Sequence, residues 1–169
     1  MHILQMLLYF MMVHYGEMVK MTEEQVTKEI LSWLIHNKWK IVTFDFPQSG
    51  TGKYLHPNKV SRENQTKNLK AFIPDIVAVK EDKALFFENK NRFFLDDFKK
   101  LHDIKTIDNY SESINKLLTS HPVTNIFYGI GAIRNKVFLT KAAEHYHLVD
   151  FIVLLDGGIH IEKDDFNLF

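Results

Sequence analysis

Residues 73–90 read IPDIVAVKEDKALFFENK, and two apolar runs within them decide the fold. Ile73 to Val79 and Ala84 to Phe87 flank the polar Lys80-Glu81-Asp82-Lys83, the pattern of a β-hairpin with a short turn. Both faces of the hairpin are apolar, which places it in the middle of a sheet covered on two sides. A two-residue turn at Glu81-Asp82 pairs Lys80 with Lys83, Val79 with Ala84 and Val77 with Phe86, and sets Asp75 opposite Glu88. A three-residue turn leaves Asp75 diagonal to Glu88. Alternation along the second strand puts Lys90 on the same face as Glu88. Two carboxylates and an ammonium thus converge at one end of the hairpin.

Upstream, Thr22 begins a capped helix: Gln25 completes a capping box, and Glu23 and Glu24 favour the positive helix end. Val26, Ile30, Trp33 and Leu34 form its apolar stripe, which ends near His36-Asn37. Lys40 to Phe46 is strand-like. Pro47 to Lys70 is a polar loop with Gly50, Gly52 and Pro57, and a loop of that length in a compact domain usually has a task. Within it Lys53, Lys59, Arg62, Lys67 and Lys70 face a single acid, Glu63, so the loop reads as a DNA-contacting segment, against the plain alternative of a solvated loop. Downstream, the spacing predicts a long helix over Leu95 to Leu118 with a break near Asn109. A strand follows over Val123 to Ile130, then a helix over Lys136 to Leu148 in which Thr140 is a competing cap, and strands over Asp150 to Leu155 and Ile159 to Glu162. Lys99 and Lys100 follow on the long helix and read as a solvated helix face, against the alternative that one of them approaches a phosphate. The order is that of a mixed α/β domain.

The 169 residues suit one domain, 46% hydrophobic and 25% charged, with 14 Phe for an aromatic-rich core. Formal net charge is zero, so any nucleic-acid binding must come from a local basic patch. The chain has no Cys, which excludes disulfides, zinc fingers and thiol catalysis and suits the cytoplasm. Residues 1–20 are an apolar extension ahead of a single domain over residues 21–169. The apolar run Ile3 to Val13 is too short to cross a bilayer, and no membrane association is expected. Two readings of it are open: a helix packed on the domain or a partner, or a stretch ahead of the true start at Met21, because Gly16-Glu17 can encode a purine-rich ribosome-binding sequence. Ser49-Gly50-Thr51-Gly52-Lys53 lacks the glycine spacing of a phosphate loop, has Tyr54 where Ser or Thr should follow and leads into no helix, so no nucleotide cofactor is expected. His145 and His147 are two apart on a helix and do not share a face for a metal.

Carboxylates at cross-strand distance repel, and one is pushed toward protonation. A divalent cation relieves the repulsion, and Asp and Glu oxygens completed by water suit magnesium. Asp75, Glu88 and the main-chain carbonyl of Asn89 are the oxygen donors so placed. Beside such a cation a lysine orients water and stabilises charge on a phosphate, the requirement of phosphodiester hydrolysis.

Pro74-Asp75, a spacer of twelve residues and Glu88-Asn89-Lys90 resemble the signature of the PD-(D/E)XK nuclease superfamily. The resemblance spans Thr22 to Ile130. It implies a restriction-endonuclease-like αβββαβ core with a mixed central sheet flanked by helices, catalysis by Asp75, Glu88 and Lys90, and magnesium as cofactor. Many members carry a metal-binding glutamate on the first helix, for which Glu24 is the candidate by position and Glu29 the second. By family analogy the polar insertion Pro47 to Lys70 suits a small type II restriction endonuclease acting on DNA as a homodimer, with Phe151 to Leu155 or the helix Lys136 to Leu148 as interface. A structure-specific repair or Holliday-junction nuclease is the alternative enzyme. A non-catalytic nucleic-acid-binding subunit is the alternative of another class.

Overall fold

The computed structural model describes residues 21–62 and 69–169. The extension over residues 1–20 and Lys67 of the basic loop lie outside the described residues. Helix α1 (Glu23–His36) starts on the expected capping box: Thr22 Oγ1 accepts from the Gln25 N–H at 3.2 Å, and Gln25 Oε1 accepts from the Thr22 N–H at 2.8 Å. Strand β1 (Lys40–Phe44) follows, then the loop, then β2 (Ile76–Lys80) and β3 (Lys83–Lys90). The hairpin has the register read from sequence, with Lys80 opposite Lys83 and Val77 opposite Phe86 across a two-residue turn.

The long helix divides into α2 (Leu95–Thr106) and α3 (Ser111–Leu118). Strand β4 (Asn125–Ile133), α4 (Lys136–Ala142), β5 (Phe151–Leu155) and β6 (Ile159–Asp164) complete the chain. The second predicted helix thus ends as α-helix at Ala142 and continues as a 3-10 turn over Ala143–Leu148. Its cap is Asn135, whose Oδ1 accepts from the Phe138 N–H at 2.8 Å, so Thr140 caps nothing.

The six strands form one mixed sheet in the order β1-β2-β3-β4-β5-β6. The β3–β4 and β4–β5 pairs are parallel and the rest antiparallel. Parallel neighbours need crossovers, and α2–α3 and α4 supply them on one face of the sheet. There Phe98, Leu101, Ile114 and Phe138 pack on Val77, Phe86 and Ile130. Helix α1 covers the other face through Val26, Ile30 and Leu34, against Ile76, Ala78, Leu85 and Phe87. Alternation along β3 therefore sends Ala84, Phe86, Glu88 and Lys90 toward α2, and Leu85, Phe87 and Asn89 toward α1. The C-terminal end of α2 is fixed to the sheet by Lys105, which bonds the carboxylate of the buried Asp150; the other oxygen of that carboxylate accepts from the Tyr128 N–H at 2.9 Å.

Two expectations need correction. All five residues of β5 are buried, and the strand is paired on both edges, by β4 and β6, so it offers no surface to a partner. The loop is not simply a solvated excursion either. Leu55 is buried and bridges Phe72, with N–H···O=C bonds of 2.7 and 2.9 Å in the two directions. Asn58 is also buried and closes the break between α2 and α3. Its Nδ2 donates to the Asp108 carbonyl (2.9 Å) and to Ser111 Oγ (3.0 Å), and its Oδ1 accepts from the Glu112 N–H (3.0 Å). Asn58 thus does for α3 what Tyr110, at the N-cap position without a side-chain cap bond, does not.

Removing those bonds leaves buried groups unpaired, which costs roughly 1–3 kcal/mol. Asn58→Ala should therefore lower the melting temperature by several degrees and speed amide exchange at Leu55 and Asn58 while leaving α1 protected. Exchange that accelerates equally in α1 would show that the loop is not held through this residue.

Candidate active site

Asp75 stands one residue before β2, where the hairpin ladder runs out. Its N–H donates to the Phe87 carbonyl at 3.0 Å. Its side chain takes over as acceptor: Oδ2 receives the Asn89 N–H at 2.6 Å. Glu88 and Asn89 are 3% and 1% exposed, so both polar side chains sit inside the protein and need partners. The Asn89 side chain finds one on the α1 face, donating from Nδ2 to Thr27 Oγ1 at 3.1 Å; Thr27 in turn donates to the Glu23 carbonyl at 3.0 Å. Gly131 of β4 lies beneath, and a Cβ there would sit 2.2 Å from both Asn89 Oδ1 and Ile30 Cδ1. A side chain there would force the Asn89 amide and the Ile30 methyl to shift.

On the opposite face Glu88 meets two ammoniums. Lys100 Nζ is 2.9 Å from Oε1 and Lys90 Nζ is 3.7 Å from Oε2. Asp97 lies 3.5 Å from Lys100 and 4.0 Å from Lys90, and Glu23 lies 3.6 Å from Lys90. Lys100 also lies over the Phe72 ring, 4.8 Å from its centre. Asp75, Glu88, Lys90 and Lys100 line a cleft of about 480 Å³ with Lys70, Phe72 and Tyr110, and Tyr110 Oη donates to the Lys70 carbonyl at 2.6 Å.

The electrostatics follow from this crowding. Burial, and next the charge of Glu88, push Asp75 up to about 7; the Asn89 N–H and the two lysines pull the other way. Glu88 is also raised, first by burial, although Lys100 and Lys90 oppose it. Burial alone would lower Lys90, but Glu88, Asp97, Asp75 and Glu23 outweigh it and hold the side chain above its usual pKa, firmly as an ammonium.

The set predicted from sequence is brought together in part. Asp75, Glu88 and Lys90 converge, and Asn89 lies between them as a clamp. Glu24 does not join them: it pairs with Lys28 at 2.5 Å on the outer side of α1. Glu29 is exposed. The helix carboxylate that reaches the site is Glu23, which shares a face with the buried Val26, Thr27 and Ile30. Lys100 and Asp97 were missed, yet Asp97, Leu101 and Ile104 recur at helical spacing along the buried stripe of α2, with Lys100 at its margin. Of the loop cations Lys70 lines this cleft, while Lys53, Lys59 and Arg62 line a neighbouring one.

Among the described residues no three His, Asp or Glu side chains form a preformed metal cage. The donor set nonetheless suits a hard divalent cation held by two carboxylates, with water completing its shell. Among the described residues four carboxylates, Asp75, Glu88, Asp97 and Glu23, stand against three lysines, Lys70, Lys90 and Lys100, an excess of one negative charge when all are ionised. Comparisons with protein-family models, curated proteins and solved structures return no match for the chain.

A carboxyl group whose folded pKa lies above its usual value takes up a proton on folding between the two, so its contribution to stability falls as pH rises through that window. For Asp75 the window runs from 3.8 to about 7. Asn at this position retains an acceptor for the Asn89 N–H and carries no charge. In chelator-treated buffer at about pH 8, Asp75→Asn should melt above the unsubstituted protein by roughly 2–4 °C, the shift made by about 1 kcal/mol in a domain of this size. The difference should close near pH 4. Parallel stability curves across that range would contradict the charge assignment.

Proposed function

We propose that the chain is a divalent-metal-dependent nuclease of the PD-(D/E)XK type that hydrolyses phosphodiester bonds in DNA. The observation that carries this reading is the convergence of Asp75, Glu88 and Lys90 at one end of a central hairpin, within the order helix, three strands, helices and strand. Asp75 and Glu88 are the residues that would hold magnesium, with the Asn89 main-chain carbonyl as a further oxygen donor. When bound, the cation supplies an acidified water and a counter-charge for the phosphate.

The protein's own groups have distinct tasks. The Asn89 N–H fixes the Asp75 carboxylate, so one donor oxygen is placed before any ligand arrives. Lys90, held as an ammonium by four carboxylates, donates a hydrogen bond to a water or to a phosphate oxygen and does not serve as the proton acceptor. Lys100 neutralises Glu88 and can turn to a phosphate oxygen once a cation takes its place. Lys70 lines the same cleft and suits a backbone phosphate. The finer forms of this reading are restriction of a symmetric duplex by a homodimer and, as the alternative, cleavage of a structure-specific repair or junction substrate. With β5 buried, α4, whose Val137 is exposed, remains as the interface predicted from sequence.

Supercoiled plasmid incubated with magnesium tests the proposal. Glu88→Gln and Lys90→Ala should each reduce cleavage by about two orders of magnitude or more, the scale of losing one transition-state contact. Lys90→Ala should keep magnesium binding, measured by calorimetry, whereas Glu88→Gln should weaken it. Glu24→Gln should cut normally and Glu23→Gln more slowly. Undiminished cleavage by folded Glu88→Gln protein would sink the proposal.

A further inference from the structure

Beside the carboxylate cleft lies a second one of about 890 Å³, between the loop and α3. Among the described residues four cations line it, Lys53, Lys59, Arg62 and Lys116, against one carboxylate, Glu112. Tyr54 is 61% exposed at its rim and stacks on His56, the rings 5.9 Å apart and within 10° of parallel. The platform is rigid below: the His56 N–H donates to Ser113 Oγ at 3.0 Å, and Ser113 Oγ donates back to the His56 carbonyl at 2.9 Å. Arg62 is tethered by Nε to the Pro57 carbonyl at 2.7 Å, which uses one of the five guanidinium donors. The two clefts adjoin: Leu55 lines the larger, Phe72 the smaller, and these two residues are bridged to each other.

An exposed tyrosine, backed by a half-buried histidine and set among cations, offers a stacking surface for a base and counter-charges for the phosphates on either side of it. Stacking needs a free base face, which a duplex hides between neighbouring pairs. We infer that the larger cleft holds a single-stranded segment of nucleic acid with a base stacked on Tyr54, and that the same strand continues across the Leu55–Phe72 bridge to Asp75 and Glu88. The second half rests on the nuclease reading; the binding of the strand does not. The substrate class is therefore DNA with a frayed, flapped or otherwise unpaired segment next to the phosphate that is cut.

The full chain is titrated, in chelator and low salt, against fluorescent oligothymidylate of about twelve nucleotides, within the span of single-strand sites. Anisotropy should show binding at least about tenfold tighter than to a duplex of equal length. Tyr54→Ala should lose about tenfold in affinity, the size of one base–aromatic stack, while Tyr54→Phe should bind as the unsubstituted protein does. Lys116→Ala should weaken binding and flatten its salt dependence, because one phosphate contact is lost. Equal affinity for the duplex, or unchanged affinity in Tyr54→Ala, would overturn the inference. Binding in chelator, set beside plasmid cleavage with magnesium by the same unsubstituted protein, separates the two proposals. If the strand binds as described and no DNA is cut, the nuclease reading falls and the single-strand site stands. If DNA is cut and Tyr54→Ala binds undiminished, the reverse holds.

Discussion

The N–H of Asn89 is buried and must be paired, and the acceptor it finds is the carboxylate of Asp75, 2.6 Å away. A backbone carbonyl in that position would have prolonged the hairpin and nothing more. A carboxylate ends the ladder and plants a charged group where two strands and two helices meet. The neighbouring positions follow from it. Glu88 must face α2 because Phe87 and Asn89 face α1, and Lys90 must follow Glu88 for the same reason. Asn89 then reaches Thr27 and through it the first turn of α1, so one residue ties the last rung of the sheet to the helix that brings Glu23.

The charges gathered there are costly to bury, and the fold supports them from both faces of the sheet. Lys100 and Asp97 come from α2, whose far end is held by Lys105 on Asp150. Glu23 comes from α1 on the other face. Ion pairs of this kind do not stabilise a protein in proportion to their number, because desolvation offsets most of the attraction. Their persistence next to an open cleft fits the proposed function, in which an outside cation would take up the carboxylates.

The hairpin register was legible because a single shift would have turned its apolar residues to the wrong face, so the pattern itself excludes alternatives. The mixed α/β class followed from the alternation of periods along the chain. The choice of Glu24 over Glu23 failed where two adjacent acids begin a helix: position along the chain cannot separate them. The stripe of Val26, Thr27 and Ile30 can, since only Glu23 lies three and four residues from its first members. Lys100 was hidden for a related reason, as a lysine beside an apolar stripe is usually covering it with its stem. The anchoring of the loop could not be read at all. Asn58 bonds to residues about fifty positions away, and a lone asparagine in a polar segment announces no such partner.

Spatial order in the sheet is the same as order in the chain. No strand is inserted between two that precede it, so each can add to the free edge left by the last as the polypeptide emerges from the ribosome. The β2–β3 and β5–β6 hairpins close short loops, which lowers the entropic barrier to those two pairings. The seven charged groups of the carboxylate cleft and its rim lie between Glu23 and Lys100, all ahead of β4 in the chain. A nascent chain thus has every one of those side chains in hand before the second half of its sheet exists, and waits only for β4 to pair the remaining edge of β3.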